Sequence, residues 1–182
     1  MKISVNDSIS LEFLEEEHAA LLLSLVNANR DHLREWLPWV DNMKNVENFQ
    51  AYIADTKKRA AEGTDFGFAI IIDKTIAGRI GMHHINAQNK IGEIGYWLAG
   101  GFQGRGIVLK SCAAIIQYGF TTLGLNRIEI KCATGNHKSR SIPEKLSFKL
   151  EGTIRQGELL NGNFVDLYLY SLLKEEWKLS GR

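Results

Sequence analysis

Two cysteines in 182 residues leave no material for a disulfide framework. Cys112 falls on a predicted helix and Cys132 on a predicted strand, and both read as small core hydrophobes, not as metal ligands. Proline is almost absent as well. Pro38 and Pro143 are the only two, so no proline-rich boundary divides the chain. With no repeat and no low-complexity tract, one domain over residues 1–182 is expected. Neither charge dominates. Lys and Arg number 22 against 21 Asp and Glu, a net charge of +1, which argues against a nucleic-acid or membrane-surface partner. The apolar runs fall far short of a membrane span, and the opening MKISVNDSIS has no apolar signal core. A cytoplasmic location is the resulting expectation. Two common phosphate loops are missing too. No GxxxxGK[ST] run occurs, and Leu109 stands where a dinucleotide fingerprint on Gly104 and Gly106 would close on glycine.

What the chain does hold is GYWLAGGFQGRGIVLKSCAAII, from Gly95 to Ile116. A strand runs into a glycine-rich turn, and the turn into an amphipathic helix. A helix start leaves backbone N–H groups unpaired and carries positive partial charge. Gly104 and Gly106 flank Arg105 there, and glycine lets backbone curl close to a ligand. The arrangement suits a phosphate or pyrophosphate.

Periodicity supplies the frame. Ile9, Leu11 and Phe13 alternate as a first strand, and Glu15 to Asn29 reads as a helix. The run Glu15-Glu16-Glu17 is expected to complement that helix's dipole. Val46, Phe49, Ile53 and Ala60 keep helical spacing until Gly63. Strands follow at Phe66 to Ile72, around Ile76 to Met82, and at Ile91 to Leu98. Leu109, Cys112, Ala113, Ile116, Phe120 and Leu123 mark the helix after the glycine loop, and Gly124 ends it. Asn126 to Ala133 is a strand, a short helix starts at Asn136, and two last strands meet at the turn Asn161-Gly162. The order predicts a mixed α+β fold: about seven strands, mostly antiparallel, with parallel pairing around the central strand–helix–strand unit.

The loop resembles motif A of the GNAT acetyltransferases, R/Q-x-x-G-x-G/A, aligned on Gly104 and Gly106. The R/Q position then falls on Gly101, a departure, with Gln103 inside the loop. FQGRGI resembles the branch that acetylates ribosomal-protein N-termini, the RimL type. WLPWVD (36–41), NHKSRSIPEKLSFKLEG (136–152) and GELLNGNFVDLYLYSLLKEEW (157–177) resemble that branch's substrate loop, its N-x-x-S…EKLGFxxEG segment and its closing hairpin. Ser147 replaces the glycine of EKLGF.

The resemblance implies a splayed central pair of strands that binds acetyl-CoA, with no metal. The backbone of Tyr96, Trp97 and Leu98 would pair with the pantetheine arm. Gln103, Gly104, Arg105, Gly106 and Ile107 would hold the pyrophosphate, with Arg105 adding charge. Asn136 would contact a pantetheine amide or act only as a helix cap. Ser139 would face the thioester sulfur, and a hydroxyl there stabilises a departing thiolate. Pro143 lacks an N–H, frees the Ser139 carbonyl, and is expected to bend or fray the helix. Glu158 stands at the family position of the general base. His83, His84 and Glu93 are weaker candidates. Trp36, Leu37, Trp39 and His84 would line the acceptor site, the tryptophan loop serving otherwise as a core plug.

The resemblance implies direct attack of an amine on the thioester in a ternary complex, with the N-terminal amine of a protein as acceptor. Acceptor chemistry bears on the base. An α-amine, with pKa about 7.7–8.0, is roughly one-tenth neutral at pH 7, so a weak base suffices. A small-amine acetyltransferase and a non-catalytic acyl-CoA-binding module are the rival readings. A homodimer or higher homo-oligomer through the outer strands is expected.

Overall fold

The computed structural model describes residues 1–179. Among these, eight strands form one sheet: β1 (Lys2–Ser4), β2 (Ile9–Phe13), β3 (Phe66–Ile72), β4 (Thr75–Asn86), β5 (Ile91–Leu98), β6 (Arg127–Ala133), β7 (Lys149–Leu160) and β8 (Asn163–Leu173). Their order across the sheet is β1-β2-β3-β4-β5-β6-β8-β7. Every neighbouring pair is antiparallel except β5 and β6. The sheet therefore has one strand more than the seven expected. The extra strand, β1, has three residues and no buried one, so it leaves almost no apolar pattern to read.

Helices α1 (His18–Ala28), α2 (Arg30–Arg34) and α3 (Val46–Ala61) precede β3. Helix α4 (Ile107–Thr121) makes the crossover from β5 to β6, α5 (His137–Lys145) joins β6 to β7, and α6 (Lys174–Leu179) follows β8. One core lies between the sheet and α4, where Phe68, Ile80, Met82 and Ile94 meet Cys112, Ile116 and Phe120. The second lies on the opposite face, under α1 and α3. The buried stripe of α4 takes in Ile107, Ser111, Ile115 and Gly119 beside Cys112, Ile116 and Phe120. Leu109, Ala113 and Leu123 fall at its rim, only partly buried.

Two local expectations need correction. Asn29 ends α1 and starts the separate turn of helix α2. Glu15, Glu16 and Glu17 precede the first turn of α1, which holds no acidic residue. Glu17 stands at the N-cap of α1, whereas Glu15 pairs with Lys57 of α3 at 2.6 Å and Glu16 accepts from Gln50. Helix α5 holds Pro143 inside it and ends two residues later, at Lys145.

The parallel ladder of β5 and β6 is what places the site. Only Ile91, Gly92 and Glu93 pair with Arg127, Ile128 and Glu129. Beyond Glu93, β5 stays paired with β4 as far as Leu98, and β6 stays paired with β8 as far as Ala133. The two strands thus keep their outer partners and part from each other. The gap exposes backbone polar groups, which must find partners.

Candidate active site

Backbone alternation tells which groups face the gap. The Ala99 N–H donates to the Ala77 carbonyl at 2.9 Å. Antiparallel ladders alternate, so Trp97 and Gly95 turn toward β4, while Tyr96 and Leu98 turn N–H and C=O toward β6. An extended ligand in the gap has these groups to pair with. The side chains of Trp97 and Leu98 are buried in the two cores, on opposite faces.

At the far end of β5 the glycine loop opens α4. Gly104 and Gly106 both take left-handed backbone, with φ of 77° and 69°. No side chain caps α4, whereas α3 and α5 are capped by Asn45 and Asn136. A Cβ at Gly101, Gly104 or Gly106 would meet nothing within 4 Å, so the loop lies open. First-turn amides without a cap, a positive helix end and open space fit a pyrophosphate. Ile107 is buried beneath the loop. Arg105 is turned back, donating to the Gly101 carbonyl at 3.1 Å over the Phe102 ring. Gln103 bridges two elements: its amide contacts His32 of α2 at 2.6 Å and accepts from Lys138 of α5 at 3.1 Å.

On the α4 side of the gap, hydroxyls gather. Asn136 caps α5 by accepting from the Ser139 N–H at 3.0 Å. The Tyr96 phenol donates to the Ser139 carbonyl at 3.1 Å and lies 3.2 Å from Ser139 Oγ. Burial pushes the Tyr96 phenol well above its ordinary value, so it stays protonated. Cys132 is also buried, its thiol pushed up to about 11 by desolvation.

On the other face, charges gather. Lys131 of β6 reaches Glu93, the last paired residue of β5, at 2.8 Å, and so bridges the start of the gap. Glu158 lies on β7 just past an irregularity in which Ile154 and Glu158 oppose Leu167 and Val165. Burial and the nearby Glu93 carboxylate raise its pKa above the ordinary range. Of Glu93, Glu129, Glu151 and Glu158, only Glu158 has no ion pair among the described residues. At the hairpin tip, Asn161 donates to the Arg34 carbonyl at 3.0 Å, which ties β7 and β8 to α2. Trp36 lies against Gly135, at the β6–α5 junction. Leu37 and Trp39 instead pack into the second core, where Trp39 meets Trp97.

The histidines divide. His83 lies 2.8 Å from Asp65 through Nδ1 and 2.9 Å from Arg79 through Nε2. Burial and Arg79 hold its pKa down against Asp65, so the neutral ring donates from Nδ1 and accepts at Nε2. Both nitrogens are engaged, which removes His83 as a base. His84 is exposed, with left-handed backbone at the irregular end of β4. Among the described residues no group of three potential metal ligands forms, and no helix is long and apolar enough to cross a membrane. Sequence reasoning missed Lys131, Asn161 and the Tyr96 hydroxyl. Each acts through a partner distant in the chain, and no local pattern marks such a pairing.

Comparison with known proteins bears on this geometry. A family model described as "Acetyltransferase (GNAT) domain" matches residues 9–149. The chain is 37% identical over 175 residues to "Putative ribosomal N-acetyltransferase YdaF" of Bacillus subtilis, covering 96% of each. It is 30% identical over 169 residues to the ribosomal-protein-serine acetyltransferase of Escherichia coli, covering 93% of this chain and 94% of that one. Its fold matches that of RimL, a ribosomal L7/L12 alpha-N-protein acetyltransferase solved with coenzyme A. That match has a TM-score of 0.93 and 28% identity, covering 97% of this chain and 99% of that one.

Proposed function

We propose a specific acceptor for a chain that belongs to the GNAT acetyltransferase family: the α-amine at the N-terminus of a protein, a ribosomal protein in particular. The activity itself is acetyl transfer from acetyl-CoA to an amine. The observation that carries the acceptor reading is Glu158. It is a half-buried carboxylate without an ion pair among the described residues, beside a Glu93 that pairs with Lys131. One uncompensated carboxylate suits one ammonium. A polyamine, with several, would be better served by several. The names of the full-length relatives support the same acceptor.

Each side of the gap has its task. Tyr96 and Leu98 offer backbone to the pantetheine arm, and Gln103 to Ile107 offer amides to the pyrophosphate, with Asn136 at the pantetheine end. Arg105 swings from the Gly101 carbonyl to phosphate. Glu158 takes the proton of the attacking amine, directly or through water. The amine forms the new C–N bond, the C–S bond breaks, and Ser139 Oγ donates to the thiolate. Trp36 and His84 border the acceptor's path, with Leu37 and Trp39 supporting the Trp36 loop from the core. The enzyme works as a single domain, in the cytoplasm, and as a homodimer through its outer strands, where Leu150, Leu159 and Phe164 are exposed.

The experiment is thiol release from acetyl-CoA against short peptides with N-terminal Ser, Ala or Met, and against spermidine and an aminoglycoside. Turnover on the peptides is expected. Turnover on the small amines alone would reassign the acceptor, and cofactor binding with no turnover would leave a binding module.

A further inference from the structure

Pro143 and Tyr96 are 47 positions apart, yet the fold joins them in one arrangement around Ser139. A proline inside a helix has no N–H for the carbonyl four residues back. In α5 that carbonyl belongs to Ser139. It does not go unpaired, because the Tyr96 phenol, arriving from β5, donates to it at 3.1 Å. The same phenol oxygen stands 3.2 Å from Ser139 Oγ.

We infer that Tyr96 is a positioning residue for acetyl transfer: its phenol holds Ser139 at two points and keeps the serine hydroxyl as a donor for the leaving thiolate. The inference rests on the reading of Ser139 given under Proposed function. A phenol has one proton. That proton is committed to the Ser139 carbonyl, so the phenol oxygen is left as an acceptor toward Oγ. Before reaction, the serine proton rests on this neutral oxygen. When the C–S bond breaks, the sulfur becomes a charged acceptor, and charge-assisted bonds are roughly twice as strong as neutral ones. The serine proton turns to the sulfur, while the carbonyl bond holds the backbone of Ser139 in place. Tyr96 transfers no proton. The amine proton goes to Glu158, and the thiolate departs with its charge intact. A buried phenol that resists ionisation suits a fixed donor better than an acid.

The test is the ionisation of the coenzyme A thiol bound to the enzyme, followed by the ultraviolet absorbance of the thiolate across pH. In Tyr96→Phe, the thiolate fraction below the midpoint is expected to fall about fivefold to tenfold, the worth of one hydrogen bond. The kcat should fall by a similar factor, with KM for acetyl-CoA unchanged. Ser139→Ala should lower both more, and adding Tyr96→Phe to it should change nothing further. Tyr96→Phe also leaves a carbonyl unpaired, so a second variant guards against misfolding. Tyr96→Phe with Pro143→Ala returns a helical N–H to the Ser139 carbonyl, and the thiolate loss should persist. A wild-type thiolate fraction and kcat in Tyr96→Phe would overturn the inference, as would a full additional loss on the Ser139→Ala background. If Ser139→Ala itself leaves the thiolate fraction unchanged, the reading of Ser139 fails first, by a result of its own.

Discussion

The two faces of the gap between β5 and β6 handle charge in opposite ways. The α4 face offers neutral hydroxyls, Tyr96 and Ser139, set beside buried Cys132 and the cap of Asn136. The opposite face offers ions: Glu93 with Lys131, and Glu158 without a partner ion among the described residues. Acetyl transfer needs this division. A thiolate is an anion for a moment only, and a neutral donor stabilises it without a permanent buried charge. An ammonium must lose a proton to something that holds it, and a carboxylate whose pKa is raised holds it better than an ordinary one. The splay lets one sheet present both chemistries across a single gap.

The comparison breaks most readily at Glu158. Glu158→Gln is expected to lower kcat about 100-fold near pH 7 and to recover as pH rises and the free amine deprotonates, as steady-state rates across pH would show. Ser139→Ala should cost about thirtyfold, within the range for a lost hydrogen bond to a charged group, at every pH below the thiol's own ionisation. Glu93→Gln sharpens the picture without removing a reacting group. The Glu93 charge raises the Glu158 pKa. A base with a raised pKa loses activity as pH falls through that value, so removing the charge should move the acid limb of the pH–rate profile to lower pH. The smallest effect is on stability and outside the gap. Exposed Ser147 holds left-handed backbone, φ 63°, just after α5. Ser147→Gly should raise the unfolding free energy by about 0.5–1 kcal/mol in denaturant titration, with activity unchanged.

Much of this was legible in the residues. The spacing of Cys112, Ile116 and Phe120 marks α4, the glycines mark its open start, and Asn136 marks the cap of α5. Each signal is local, set by helix period or by backbone that glycine or a capping side chain accommodates. The freed Ser139 carbonyl was legible too, because Pro143 is only four residues away. Its partner was not, since Tyr96 lies 43 residues upstream. Asn161 and Arg34, 127 residues apart, meet only when the hairpin folds over α2. Trp36, Leu37 and Trp39 look alike in sequence, yet Trp36 lies against Gly135 at the β6–α5 junction while Leu37 and Trp39 pack into a core. His83 resembled a candidate base until Asp65 and Arg79 took both of its nitrogens. In each case the deciding partner comes from another element, and burial on a given face depends on the assembled sheet.

The division of labour across the gap is tested most directly by pH–rate profiles of wild type, Glu158→Gln and Ser139→Ala, using thiol release with one peptide acceptor. The account predicts that Glu158→Gln approaches wild-type rates as pH rises, while Ser139→Ala stays reduced by a near-constant factor until the thiol itself ionises. Parallel profiles for both variants, or a Ser139→Ala enzyme that recovers together with Glu158→Gln, would contradict it.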